Sequence, residues 1–316
     1  MIDFRYHLVS LIAVFLAVAL GIVIGTTALN EPILADIENQ VADLEQDKRA
    51  LEDRTQQLQT QLDTADAFEQ AVAPALVEGT LAGRRVLLVS TNEEVAPETV
   101  EDLTALVTAA GGTVAGSLAL RPEFSDPSSE AGLQSYVTGS GRPPGIQLPE
   151  TDDTGRLVAS LMAQVLMIPS SGAAPADGAA VSSVLGGLVA LDVLTQTSDS
   201  VAPADHAIVL TSGALPGDDA AERNAAVVDL VSALDSAGSG VVVAGDTVSA
   251  GENGLVGALR ADPALSSTVS TVDNIGTAAG RISTVLALSG EHDGTSGRYG
   301  TGEDTQPVPP VPAAAP

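Results

Sequence analysis

An anchored α/β protein is the fold the sequence predicts, and three observations predict it. Leu8 to Leu29 reads LVSLIAVFLAVALGIVIGTTAL without a charged residue, heptads follow it, and from Arg84 short apolar β runs alternate with segments of helical spacing. These divide the chain into a membrane anchor (1–30), a coiled-coil stalk (31–78), a doubly wound, mostly parallel sheet domain (79–290) and a tail (291–316).

The anchor comes first. About 22 residues at ~1.5 Å rise span roughly 33 Å, enough to cross a hydrocarbon core of about 30 Å as one helix. Arg5 precedes the run, with His7 beside it, whereas Glu31, Asp36 and Glu38 follow. The basic flank places the short N-terminus in the cytoplasm and the C-terminal domain outside, a single-pass arrangement in the cell envelope. A cleavable signal peptide is the competing reading, since Thr26 and Ala28 are small residues ahead of a possible cut. Gly21 and Gly25 form a GxxxG pair, which lets two such helices approach closely.

Behind the anchor, apolar residues recur at alternating spacings of three and four. Ile37, Leu44, Leu51 and Leu58 take the d positions of a heptad, and Val41 and Leu62 take a positions with Lys48 and Thr55 between them. Such a seam predicts a parallel homodimer, with the polar a residues favouring one register. One amphipathic helix packed on the α/β domain is the alternative. Pro74 and Gly79 are expected to end the helical pattern and mark a hinge.

From Arg84 the period changes. RVLLVS (85–90) reads as a buried strand, Pro97 to Ala110 as a helix stopped by Gly111 and Gly112, and TVAGSLAL (113–120) as a second strand, together a parallel crossover unit. A loop rich in Pro, Ser and Gly follows, including GSGRPPG from Gly139 to Gly145. Helical spacing returns over 155–167 and 176–194. It is followed by a strand at 206–211, a helix over 218–237, a strand at 240–244, a short helix near Leu255, a strand at 268–272 and a helix over 277–288. That makes about five strands. Residues 291–316 lack an apolar period and end Pro-rich, which predicts a disordered tail.

Composition narrows the function classes. With 13 basic and 41 acidic residues the net charge is -28, which repels nucleic acid and anionic lipid and favours cations or basic partners. The same acidity also simply keeps an exposed protein soluble. Aromatics are 2% and tryptophan is absent, so the core must be built from Val, Leu, Ala and Ile. Absence of cysteine removes disulfides, thiolate nucleophiles and thiolate metal sites. No GxSxG, HExxH, Walker loop or dinucleotide fingerprint stands where a strand meets a helix, so neither a reaction nor a cofactor is expected. Asp152 and Asp153, and Asp218 and Asp219, lie at helix starts and read as caps.

Open α/β sheets bind ligands beyond the carboxyl ends of their strands. Polar residues at those ends are Ser90 and Asn92 after the first strand, Ser212 and Gly213 after the 206–211 run, Asp246 after the next, and Asp273 and Asn274 after the last. These are the candidate ligand- or partner-binding residues if they converge on one crevice. Otherwise they make turns and helix caps. Close approach of Asn92, Ser212 and Asp246 would favour a site.

The opening MIDFRYHLVSLIAVFLAVALGIVIGTTALNEPIL, the DKRALE of the heptads (47–52) and the late TVDNIGTAAGRISTVLAL (271–288) resemble the actinobacterial MctB family over nearly the whole chain. That resemblance implies an actinobacterial envelope protein, assigned to the outer membrane, with a role in copper efflux and homeostasis. Copper donors themselves are scarce. Cu(I) prefers Cys and Met sulfur and Cu(II) prefers His nitrogen, yet the chain holds no Cys, three Met and three His. Met1 and His7 precede the anchor, Met162 and Met167 read as core, His206 begins a buried strand, and His292 sits in the acidic triplet EHD. No metal site is expected. A copper role is therefore read as indirect, with a protein partner of the envelope, in assembly or cell division, as the alternative function.

Overall fold

A computed structural model describes residues 4–139 and 142–310, and of 26–35 and 38 the backbone alone. The last six tail positions and two positions of the GSGRPPG loop lie outside the described residues. Two compact units divide the chain, Met1–Ala65 and Asp66–Pro316.

The described residues of the first unit are helical. They belong to α1 (Phe4–Val77), whose stretch Phe4–Gly25 has a mean hydropathy of 2.9 and is long and apolar enough to cross a membrane. Further along, Ile37, Val41, Leu44, Leu51, Leu58 and Leu62 are 50 to 70% exposed, and Glu45–Arg49 (3.0 Å) and Lys48–Glu52 (3.4 Å) form i,i+4 ion pairs beside them.

The second unit opens on the last turns of α1. Ala73 and Val77 are buried, with Leu81 behind them, so residues 66–77 belong to the folded head and Pro74 sits inside the helix, where the sequence pointed to a hinge. The rest alternates strand and helix: β1 (Arg85–Ser90), α2 (Pro97–Ala109), β2 (Thr113–Leu120), α3 (Glu130–Thr138), α4 (Thr154–Leu166), α5 (Gly178–Ala190), β3 (Leu194–Gln196), β4 (His206–Leu210), α6 (Ala220–Ala237), β5 (Val241–Ala244), α7 (Leu255–Ala261), β6 (Ser270–Val272), α8 (Ala278–His292) and β7 (Arg298–Tyr299). They form one seven-stranded sheet in the order β3-β2-β1-β4-β5-β6-β7, parallel except for β3.

Alternation along the central strands sends side chains to two cores. Leu87, Val89, Val209 and Val243 face α4 and α6, while Val86, Leu88, Ile208 and Val242 face Leu103 and Val107 of α2 and Val285 of α8. Continuous Val/Leu runs suit strands covered on both sides, and β4 and β5 are buried at every position. Asp153 caps α4 by accepting from Arg156 N (3.1 Å), whereas Asp219 occupies the N-cap of α6 without a side-chain bond. Asp66 and Glu69, three apart on α1, accept from the backbone N–H groups of Ala278 (2.6 Å) and Ala279 (3.1 Å), which α8 leaves unpaired at its N-terminus.

The described part of the tail is ordered, contrary to the disordered tail its composition suggests. α8 runs on to His292, β7 adds the seventh strand, and Gln306 N donates to Arg298 O (2.8 Å). The composition misleads because this segment is held by hydrogen bonds to the sheet edge, which need no apolar period.

Candidate functional site: the strand-end crevice

The chain leaves β1 for β2 on one side and returns to β4 on the other, so the topological switch point lies between β1 and β4. Loops diverge there, and α/β sheets leave a crevice at such a point. Asn92 Nδ2 donates to Ser212 O (2.7 Å), and Ser212 Oγ donates to Asp246 Oδ2 (2.8 Å). Gly213, in a left-handed turn (φ 71°), donates its N–H to the same carboxylate (3.0 Å), and Ser249 N does so at 2.7 Å. Partial burial opposes the charge on Asp246, but the Ser249 and Gly213 N–H groups and the two hydroxyls outweigh it and hold its carboxyl below the usual range.

Asn92, Ser212, Gly213 and Asp246 thus converge, and Ser90, Asp273 and Asn274 do not join them. Ser90 closes β1 opposite Leu210 and Ala119. Asp273 is fully buried, paired with Arg260 at 2.7 Å, and accepts from Thr301 N (2.7 Å) and Gly302 N (3.2 Å), so it fastens the C-terminal segment. Asn274 bonds Thr277, which caps α8. Asp246 itself is occupied in joining the β4 and β5 loops.

A cleft of about 300 Å³ opens in front of Asn92 and Ser212. Sequence reasoning missed its two arginines, Arg121 and Arg223. Arg121 directly follows β2, at the same kind of strand end as Asn92, and that position was the available signal. It is held by Asp192 (3.1 Å) and Glu123 (3.6 Å). Arg223 comes from α6, and no strand-end rule reaches it.

At the opposite end of the sheet His206 is fully buried, its ring edge-on to His292 with centroids 5.7 Å apart, and Arg84 donates to His292 Nε2. Burial, reinforced by His292, pushes His206 down to about 4, keeping it neutral. Met162 and Met167 are fully buried. Among the described residues no three His, Cys, Asp or Glu side chains gather as metal ligands.

Next to this pair, Glu291 is 8% exposed and accepts from Ser270 N (2.6 Å) and Ser296 Oγ (3.1 Å). Burial dominates these bonds, nearby Asp235 adds repulsion, and the carboxyl is pushed up to about 7 from 4.5. A raised acid favours the folded state fully below the unfolded value, and that contribution is lost as pH rises from about 4.5 to about 7. Glu291→Gln, which imitates the protonated form, is expected to match the parent in stability near pH 4.5 and exceed it by about 2–3 kcal/mol at pH 8. Urea melts at the two pH values check this, and a gap that does not change with pH would contradict it.

The family described as "Copper transport outer membrane protein, MctB" matches residues 1–310. Proteins named copper transporter MctB from Mycobacterium tuberculosis and Mycobacterium bovis are 33% identical to this chain over 315 residues, which is 98% of this chain and 99% of theirs. The Mycobacterium leprae protein of that name is 34% identical over 314 residues, 96% of this chain and 97% of its own.

Proposed function

The chain belongs to the MctB family, and from that premise we propose a membrane-anchored envelope protein that supports copper efflux and homeostasis indirectly and catalyses no reaction. The match along residues 1–310, which takes in anchor, heptads and head together, carries the reading. An indirect role suits the donors available. Of the three Met and three His, Met162, Met167 and His206 are buried in the core and His292 already takes a bond from Arg84. One helix among the described residues is apolar and long enough to cross a membrane, which gives little to line a pore with.

The exposed seam favours a second, compatible reading. A helix that leaves six apolar residues at heptad spacing exposed in a single chain suits a parallel homodimer. In this reading the N-terminus is cytoplasmic and the α/β heads lie outside, holding an envelope protein concerned with assembly or division.

Cells test both. Deleting the chain is expected to raise cellular copper, measured by mass spectrometry, and the full chain to restore it. The double variant Leu44→Asp/Leu51→Asp, anchored and folded but unpaired, is expected not to restore it. Unchanged copper on deletion would reject the family role for this chain, and full rescue by the variant would reject the need for pairing.

A further inference from the structure

Three residues lining the switch-point crevice bury a side-chain atom that makes no hydrogen bond; Arg121 Nε has the Asp192 carboxylate at 3.1 Å, and Asn92 Oδ1 and Arg223 Nε have neither hydrogen bond nor ion pair. The Asn92 amide cannot reverse, because its Nδ2 already donates to Ser212 O at 2.7 Å, so its Oδ1 faces away from that bond, buried and without a donor. Arg223 Nε is likewise buried without an acceptor, and its guanidinium makes no ion pair among the described residues. Asp126 feels its charge across the rim but does not reach it. In a chain with 41 acidic residues, an arginine left without a carboxylate at the head of a cleft calls for another explanation than surface solubility.

The two vacancies are complementary in kind. One wants an anionic acceptor, the other a hydrogen-bond donor, and the two residues that carry them line the same cleft of about 300 Å³. That volume stands at the small end for ligand sites. Exposed Glu93 and Glu94 also line the cleft, which disfavours a dianion such as phosphate and favours an ammonium group. The remaining wall mixes polar groups such as Thr91, Ser125 and Thr211 with apolar side chains, Phe124 and Val227 among them.

We propose that the crevice binds one zwitterionic α-amino acid with an apolar side chain, its carboxylate on Arg223, its ammonium on Asn92 Oδ1, and its side chain against Phe124 and Val227. This site is independent of the copper reading, and its failure leaves that reading untouched.

Equilibrium dialysis of the full chain in detergent against labelled leucine, valine, alanine and phenylalanine tests it. Saturable binding of at least one of the four, one per chain, is expected. Arg223→Gln should weaken it at least tenfold and Arg223→Lys should keep part of it, with melting curves by circular dichroism unchanged in both. Absence of saturable binding for all four, or equal affinity in Arg223→Gln, would overturn the assignment. So would inorganic phosphate displacing the label as well as the unlabelled amino acid does.

Discussion

Replacing Asp273 by alanine is expected to destabilise the α/β unit by about 3–5 kcal/mol. The carboxylate is fully buried and accepts from Arg260 Nη1 (2.7 Å), Thr301 N (2.7 Å) and Gly302 N (3.2 Å). Without it, the Arg260 guanidinium, 11% exposed, keeps only the Thr271 hydroxyl (2.9 Å) and Tyr299 O (3.0 Å), and its charge is left buried without a counter-ion. The same change frees two backbone N–H groups of the segment after β7. Urea unfolding of the purified full chain should therefore show the loss together with new protease cleavage within 298–310. A loss below about 1 kcal/mol would show that β7 is held by something other than this pair.

The seam variant Leu44→Asp/Leu51→Asp is expected to raise the dissociation constant of the proposed homodimer by more than 100-fold. Burying one exposed leucine contributes about 1.5–3 kcal/mol, and the change removes two from each helix and sets carboxylates against each other. Leu44 and Leu51 are 70% and 65% exposed, and the neighbouring ion pairs Glu45–Arg49 and Lys48–Glu52 remain within the helix, so helix content should stay as it was. Sedimentation in detergent checks the mass. A parent chain that already sediments as a monomer would remove the seam as a dimer contact.

How much could be read in advance depended on where each element draws its stability. β1 and β2 have the bounds their residues predict, 85–90 and 113–120, because each is a β-rich run with glycine before it, and burial follows from its own side chains. α3 escaped notice in a loop rich in Pro and Ser, since only Leu133 and Val137 of its nine residues are buried. β3 and β7 escaped for a different reason: at three and two residues they exist through their pairing partners, β2 and β6.

The crevice was half legible. Asn92, Ser212, Gly213 and Asp246 meet because all follow neighbouring strands, which the strand-end rule anticipates. By the same rule Asp273 looked equivalent, yet it is claimed by Arg260, thirteen residues earlier on α7. Arg223, on which the amino-acid site turns, comes from a helix flank and could be found only in three dimensions.

Titrating the purified full chain with Cu(I) and Cu(II) against a chelator of known affinity separates an indirect copper role from direct copper handling. No saturable stoichiometric binding of either ion is expected. One tightly held copper per chain would contradict the indirect role and place copper handling in this chain itself.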